Sequence, residues 1–273
     1  MQYGSIGVFD SGFGGLTVLK EITNKLPQYD FIYLGDNARA PYGTRSFETI
    51  YQYTLACVLR LFDLGCPLVI LACNTASARA LRTIQQIDLP KGNPQKRVLG
   101  IIRPSAEVIG NYTNTNHIGV LGTSGTIASQ SYIIEINKQY PSISVHQQAC
   151  PMWVPLVENN ELNNAGTNYF VQQQMQQLFA KHPQIDTVLL GCTHYPLLLP
   201  AIKTYTPNTV QIITQGNIVA NSLNDYLVRH PEINNTLTQQ GNRIFYTTDM
   251  PENFNEKAGL FYGEQIKSQQ IHC

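Results

Sequence analysis

Charge is what this sequence has least of. Lys, Arg, Asp and Glu together make up 13% of the 273 residues, with 18 acids against 18 bases. Such a balance leaves no basic footprint for a nucleic acid or an anionic membrane, so neither is expected as a partner. It also excludes the ion-pair-rich composition of a hyperthermophile. Asn and Gln dress the surface instead, as in VQQQMQQ at 171–177, read as a solvated helix face. No apolar run approaches the ~18 residues of a spanning helix, and no basic segment followed by an apolar one opens the chain. A cytoplasmic protein is the expectation.

Other absences narrow the chemistry. None of the six cysteines (Cys57, Cys66, Cys73, Cys150, Cys192, Cys273) belongs to a C-x-x-C pair, so free thiols rather than disulfides are expected in a reducing compartment. No G-x-x-x-x-G-K-[ST] loop occurs. The turn GFGGLT at 12–17 carries Thr17 where a dinucleotide fingerprint needs its third glycine. Nothing argues for a nucleotide. Cys192 and His194 are one residue apart, but no second ligand pair with zinc-like spacing accompanies them, so no metal is expected. The other five histidines carry no motif and are assigned surface or structural roles.

What is present is a 43% hydrophobic content arranged in short runs. Strands are predicted at 5–9, 31–34, 68–72, 98–102, 117–121, 187–190, 210–213 and 243–247. Amphipathic stretches at 14–26, 45–64, 75–87, 125–139 and 166–181 read as helices. Strands that are apolar throughout, rather than alternating, point to sheets covered on both faces and hence to a parallel α/β fold.

The chain also echoes itself. IGVFDSGFGG (6–15) matches IGVLGTSGTI (118–127) in pattern, and VILACNTASARAL (69–81) matches VLLGCTHYPLLLP (188–200). The distance from first strand to cysteine is 67 residues in one half (6 to 73) and 74 in the other (118 to 192). Two similar lobes follow, each offering one cysteine at the C-terminal end of a strand, where open α/β sheets bind ligands. The active site is therefore expected between the lobes.

Each of these cysteines precedes a predicted helix, whose positive end favours thiolate by ~0.3–1 kcal/mol. Moderate pKa values on both would suit a pair that works as acid and base on opposite faces of one carbon. His194 is placed to handle the proton of Cys192. Asp10, entering the Gly-rich turn, could reach Cys73, although a turn or cap role is the plain alternative. The Gly-rich helix start is a carboxylate site in principle. Ser11, Asn74, Thr75, Thr123 and Thr193 could supply small donors. Tyr42 and Gly43 read either as a loop or as a backbone contact for a ligand. Glu158 ends MWVPLVE, read as a partly buried segment with one acid.

The segments IGVFDSGFGGLTVLKEI, YLGDNARAPYGTRS, LVILACNTASA, GVLGTSGTI, VPLVE and LLGCTHYPLLLPAI, with PENFNEKAGLFYG near the C-terminus, resemble the motifs of the bacterial glutamate racemases, within the aspartate/glutamate racemase superfamily. The resemblance implies cofactor-independent 1,1-proton transfer at Cα of glutamate, yielding D-glutamate for peptidoglycan. It implies Cys73 and Cys192 as the two bases, Asp10 and His194 as their helpers, and Glu158 as a nearby acid. It places substrate contacts on Asp10, Ser11, Tyr42, Gly43, Asn74, Thr75, Thr193 and His194. It further implies a first lobe of residues 1–97 plus 210–273, a second of 98–209, and compatibility with a homodimer. One departure is Thr214-Gln215-Gly216, where the family often shows Asp-Ser-Gly; it is expected to alter lobe packing rather than remove activity. The chain begins at its first strand, so the activation by a cell-wall precursor seen in members with an N-terminal extension is not expected.

The rivals are a racemase of the same superfamily acting on aspartate or another compound, a catalytically weak amino-acid-binding regulator, and a single-thiol hydrolase or decarboxylase. The last predicts that only one of Cys73 and Cys192 matters.

Overall fold

The continuous apolar runs become strands sealed on both faces. In the computed structural model, which describes residues 4–273, every residue of β1 (Ile6–Asp10), β2 (Phe31–Gly35) and β3 (Leu68–Leu71) is buried. The remaining strands are β4 (Arg97–Gly100), β5 (His117–Gly122), β6 (Ser144–Ala149), β7 (Thr187–Gly191), β8 (Gln211–Ile213), β9 (Arg243–Thr247) and β10 (Ser268–Gln270). They form one sheet in the order β10-β9-β2-β1-β3-β4 and another in the order β6-β5-β7-β8. Every pair of neighbours is parallel, as an α/β fold with helical crossovers requires.

The internal echo is structural. The run β2-β1-β3-β4 in the first sheet has the same order as β6-β5-β7-β8 in the second. Register makes β3 and β7 equivalent: Phe9 is opposite Leu71 and Leu121 opposite Leu190, and in each case the cysteine follows two residues later. Cys73 and Cys192 thus occupy corresponding positions, as do Ser11 and Thr123.

The expected lobe boundaries do not follow the sheets at two strands. β4, expected to open the second lobe, extends the first sheet, with Val98 opposite Val69. β8, expected in the first, pairs with β7 through Val188 and Ile212. Apolar content alone does not say which sheet a strand joins; the parallel partner does. β6 and β10 were not foreseen, because SVHQQA and SQQ are edge strands with little apolar sequence.

Helices Gly15–Lys25, Gly216–Arg229 and Pro251–Tyr262 pack together beside the first sheet. One apolar cluster runs from Leu16, Tyr33 and Phe254 to Leu121, Trp153 and Tyr195, so a single core continues from one sheet to the other. The helix expected at 75–87 is present as consecutive segments, Asn74–Arg79, Leu81–Thr83 and the wider π turn Ile84–Asp88, and the predicted helix 125–139 is broken into Ser124–Ala128 and Ser131–Gln139 by Gln130 at φ 54°. No helix among the described residues is long and apolar enough to cross a membrane.

Candidate active site

The C-terminal ends of β1, β3, β5 and β7 open onto one cleft, with about 640 Å³ of empty space within it, that is continuous with solvent. Cys73 and Cys192 both line it, with Ser11, Tyr42, Gly43, Asn74, Thr75, Thr123, Glu158, Thr193 and His194. Every expected site residue except Asp10 reaches this surface, and Asp10 lies fully buried beneath it.

Cys73 caps the short helix Asn74–Arg79. Its sulfur accepts the Ala76 N–H at 3.4 Å and lies 3.3 Å from Ser11 Oγ. Asp10 was expected to reach this thiol; it turns away instead. One carboxylate oxygen accepts the Gly12 N–H at 2.9 Å and the other the Thr193 hydroxyl at 3.5 Å. Ser11 is therefore the group that touches Cys73, and Asp10 acts on it through its field. Burial, then the nearby Asp10, push the Cys73 thiol up to about 12, against the opposing bonds from Ser11 and Ala76. The moderate pKa expected for it is not what the structure gives, because desolvation outweighs the end of a single short helix. Burial likewise raises Asp10 above the ordinary carboxylate range, against the pull of His194 and the Gly12 and Gly15 amides.

The surroundings of Cys192 differ. The expected helix after it opens as a 3₁₀ turn at Tyr195–Leu198 and becomes α-helical only at Leu199–Thr204. Its partner is the imidazole: Cys192 Sγ lies 3.8 Å from His194 Nδ1, and His194 Nε2 lies 2.9 Å from Glu158 Oε1. Burial alone would lower the His194 pKa, but the hydrogen bonds to Cys192 and Glu158 outweigh it and raise the group to about 10. Glu158, expected as a nearby acid, is thus the anchor of a thiol–imidazole–carboxylate chain. The ring edge of Phe261 closes the other side of His194, with centroids 5.4 Å apart.

Two expected substrate contacts are already engaged. The Tyr42 hydroxyl donates to buried Asp36. The Asn74 side chain donates to Gln215 Oε1 at 2.7 Å and accepts the Tyr132 hydroxyl at 2.6 Å. Gly43 gives its carbonyl to the Gly125 N–H at 2.8 Å, and a Cβ there would lie 3.0 Å from Thr123 Cβ. Thr75 and Thr123 meet at 2.9 Å across the lobes. The hydroxyl of Ser11 beside Cys73, and that of Thr193 in exchange for its long 3.5 Å bond to Asp10, are the donors best placed for a ligand.

The Gly-rich turn is explained by contact rather than by a bound anion. A Cβ at Gly14 would lie 2.2 Å from Thr193 Oγ1 and 2.4 Å from His194 Nδ1. The turn that was considered as a carboxylate site is thus covered by the GCTH loop, which it allows to approach. Pro41, Thr44, Ser124, Pro151, Val154 and Pro155 complete the lining. Sequence reasoning passed over them; only their neighbourhood to APYG, GTSG and VPLVE could have drawn attention.

Two parallel sheets that share a strand order thus present Cys73 and Cys192, at equivalent strand ends, to one cleft. The Asp/Glu/hydantoin racemase profile matches residues 6–223. This chain belongs to that family. It is 38% identical to the glutamate racemase of Roseobacter denitrificans over 96% of this chain and 98% of that protein. Among solved structures it resembles the glutamate racemase isoform RacE1 from Bacillus anthracis, with a TM-score of 0.88 and 34% identity over 100% of this chain and 98% of that one. The glutamate racemase of Francisella tularensis, crystallised with D-glutamate, superposes with a TM-score of 0.87 at 30% identity, covering 100% and 98% of the two chains.

Proposed function

We propose that this chain is a glutamate racemase that interconverts L- and D-glutamate without a cofactor, using Cys73 and Cys192 as the two bases. The observation that carries this reading is the pair of thiols at equivalent strand ends of one cleft, each with its own proton-handling neighbour. The near-full-length likeness to glutamate racemases supplies the substrate.

In each turnover one sulfur enters as thiolate and takes the Cα proton. The electron pair stays on Cα, and the opposite thiol returns its own proton to the other face. Ser11 and Asp10 serve the Cys73 side, and His194 with Glu158 serves the Cys192 side. The imidazolium can hold a Cys192 thiolate as an ion pair. Water exclusion and the hydroxyls of Ser11 and Thr193 are the means available to stabilise charge that develops on the substrate. D-glutamate for peptidoglycan, a cytoplasmic location and a homodimer belong to the same proposal, as do two lobes whose chain passages fall after β4 and after β8.

Incubating the purified protein with L-glutamate in D2O, with a chelator and no added cofactor, tests it. The expected result is loss of optical activity with deuterium entering the D product first, and loss of racemisation in both Cys73→Ala and Cys192→Ala. Retention of racemisation in either variant would overturn the two-base reading.

A further inference from the structure

At the end of the second sheet opposite the cleft, three of the six histidines meet. His117 opens β5, and Ser144 is its register partner in β6, so His146 sits diagonally beside it on the same face. His182 comes from the loop between helix Ala165–Phe179 and β7. No motif links residues so far apart in sequence, which is why they read as unrelated until the fold assembled them.

One ring nitrogen of each lies within 4.8 Å of the other two, and all three side chains are half-buried. The closest pair is His117 Nδ1 and His146 Nε2, 3.2 Å apart. A tetrahedral ion with bonds of about 2.0–2.1 Å holds its donor nitrogens roughly 3.3 Å apart. This pair therefore already has the spacing of two ligands on one ion, with a shared proton where the ion would sit. The third ring stacks on His117, with centroids 3.7 Å apart and planes inclined by 8°. Parallel rings aim their lone pairs side by side, so His182 must swing out of the stack to complete a tripod. Its Nδ1 accepts the Gln184 N–H at 3.3 Å, so the same swing must break that bond and move the ring proton to Nδ1 before Nε2 can ligate.

We propose that His117, His146 and His182 form a binding site for a divalent transition ion of the Zn2+, Co2+ or Ni2+ type. Imidazole is the ligand those ions share. The position facing solvent is left for water. The nearby Lys181 ammonium is directed onto the Gln147 carbonyl at 2.6 Å rather than at the rings. The ion would tie the start of β5, the middle of β6 and the approach to β7 into one clip, remote from the reacting atoms.

The test uses metal-free full-length protein titrated with Zn2+ and Co2+ by calorimetry and visible absorption. Cys73→Ala/Cys192→Ala protein serves as a parallel sample, because the cleft thiols could also hold zinc. One equivalent should bind in both samples, Tm should rise by about 5 °C at saturation, and His146→Gln or His182→Gln should weaken binding by on the order of tenfold or more. Binding that is unchanged in the histidine variants, that disappears with the cysteines, or that is absent at about 1 mM ion would overturn the proposal. Circular dichroism of each variant separates lost binding from lost fold.

Discussion

His194 sits between a thiol and a carboxylate while being almost wholly removed from water. A buried imidazole left alone would be neutral, so its raised pKa of about 10 depends on those two partners. Glu158→Gln keeps the shape and removes one charge; the His194 pKa should fall by about 1–3 pH units, read from its ring signals by NMR titration. An unmoved titration would mean that Cys192 alone sets the charge. Gly14→Ala makes a steric test of the same imidazole. Its Cβ would meet Thr193 and His194 at 2.2–2.4 Å, and misplacing a proton donor by about 1 Å costs on the order of 100-fold in kcat/KM. Unchanged kinetics in that variant would show that the GCTH loop yields at no cost. At this scale the place of the cysteines, Ser11 and His194 on the cleft could be read from the sequence because each lies at a strand end, whereas the turn of Asp10 away from Cys73 could not. The partnership of Glu158 with His194, 36 residues apart, could not. Nor could the diversion of Asn74 to Gln215, 141 residues away. Distant side-chain pairs leave no local periodicity.

Between elements, Gln215 is the residue on which the two sheets converge. Buried at the start of helix Gly216–Arg229, it accepts from Asn74, and the two hydrogens of its Nε2 are shared among the Ile101 carbonyl at 3.1 Å, Ser105 Oγ at 2.8 Å and the Tyr132 hydroxyl at 2.9 Å. The departure of this chain at 214–216 thus falls on a hydrogen-bonded joint one residue from Cys73. Gln215→Ala would strand the Asn74 amide, while the Ile101 carbonyl keeps the Ser105 hydroxyl at 3.1 Å; the expected cost is about 1–3 kcal/mol of stability, measurable by urea denaturation. A stability change near zero would mean water replaces the amide fully. Elements with strong apolar pattern were legible, including eight of the ten strands within a residue or two. β6 and β10 were not, because edge strands are held by backbone pairing and need little apolar sequence. The break at Gln130 was likewise hidden, since a lone glutamine with positive φ has no signature.

For the whole molecule, the buried titratable groups set a common direction with pH. His194 is raised from 6.5 to about 10, so its contribution to stability is full below pH 6.5 and is lost as pH climbs through 10. Cys73 and Cys66, raised from 9.0 to about 12 by burial, contribute fully below pH 9.0 and lose it between there and 12. Asp30 and Asp186 run the other way. Hydrogen bonds outweigh burial and lower both, so their contribution is present above pH 3.8 and fades as the solution is acidified past it. Under reducing conditions Tm should therefore be lower at pH 9.5 than at pH 7, and His194→Gln should flatten the decline between pH 7 and 9. An equal or higher Tm at pH 9.5 would contradict the burial of these groups. The α/β class and its doubling were visible in the apolar runs, whereas the sheet that claims each boundary strand was decided by pairing no single segment encodes. The bond from Gln215 to the Ile101 carbonyl brings together the place where the chain leaves the first sheet and the place where it returns. The second sheet is therefore an excursion that begins and ends at nearly one point. A short turn could bridge that gap, and the intervening segment has the closed-loop geometry from which circular permutants and domain transplants are made.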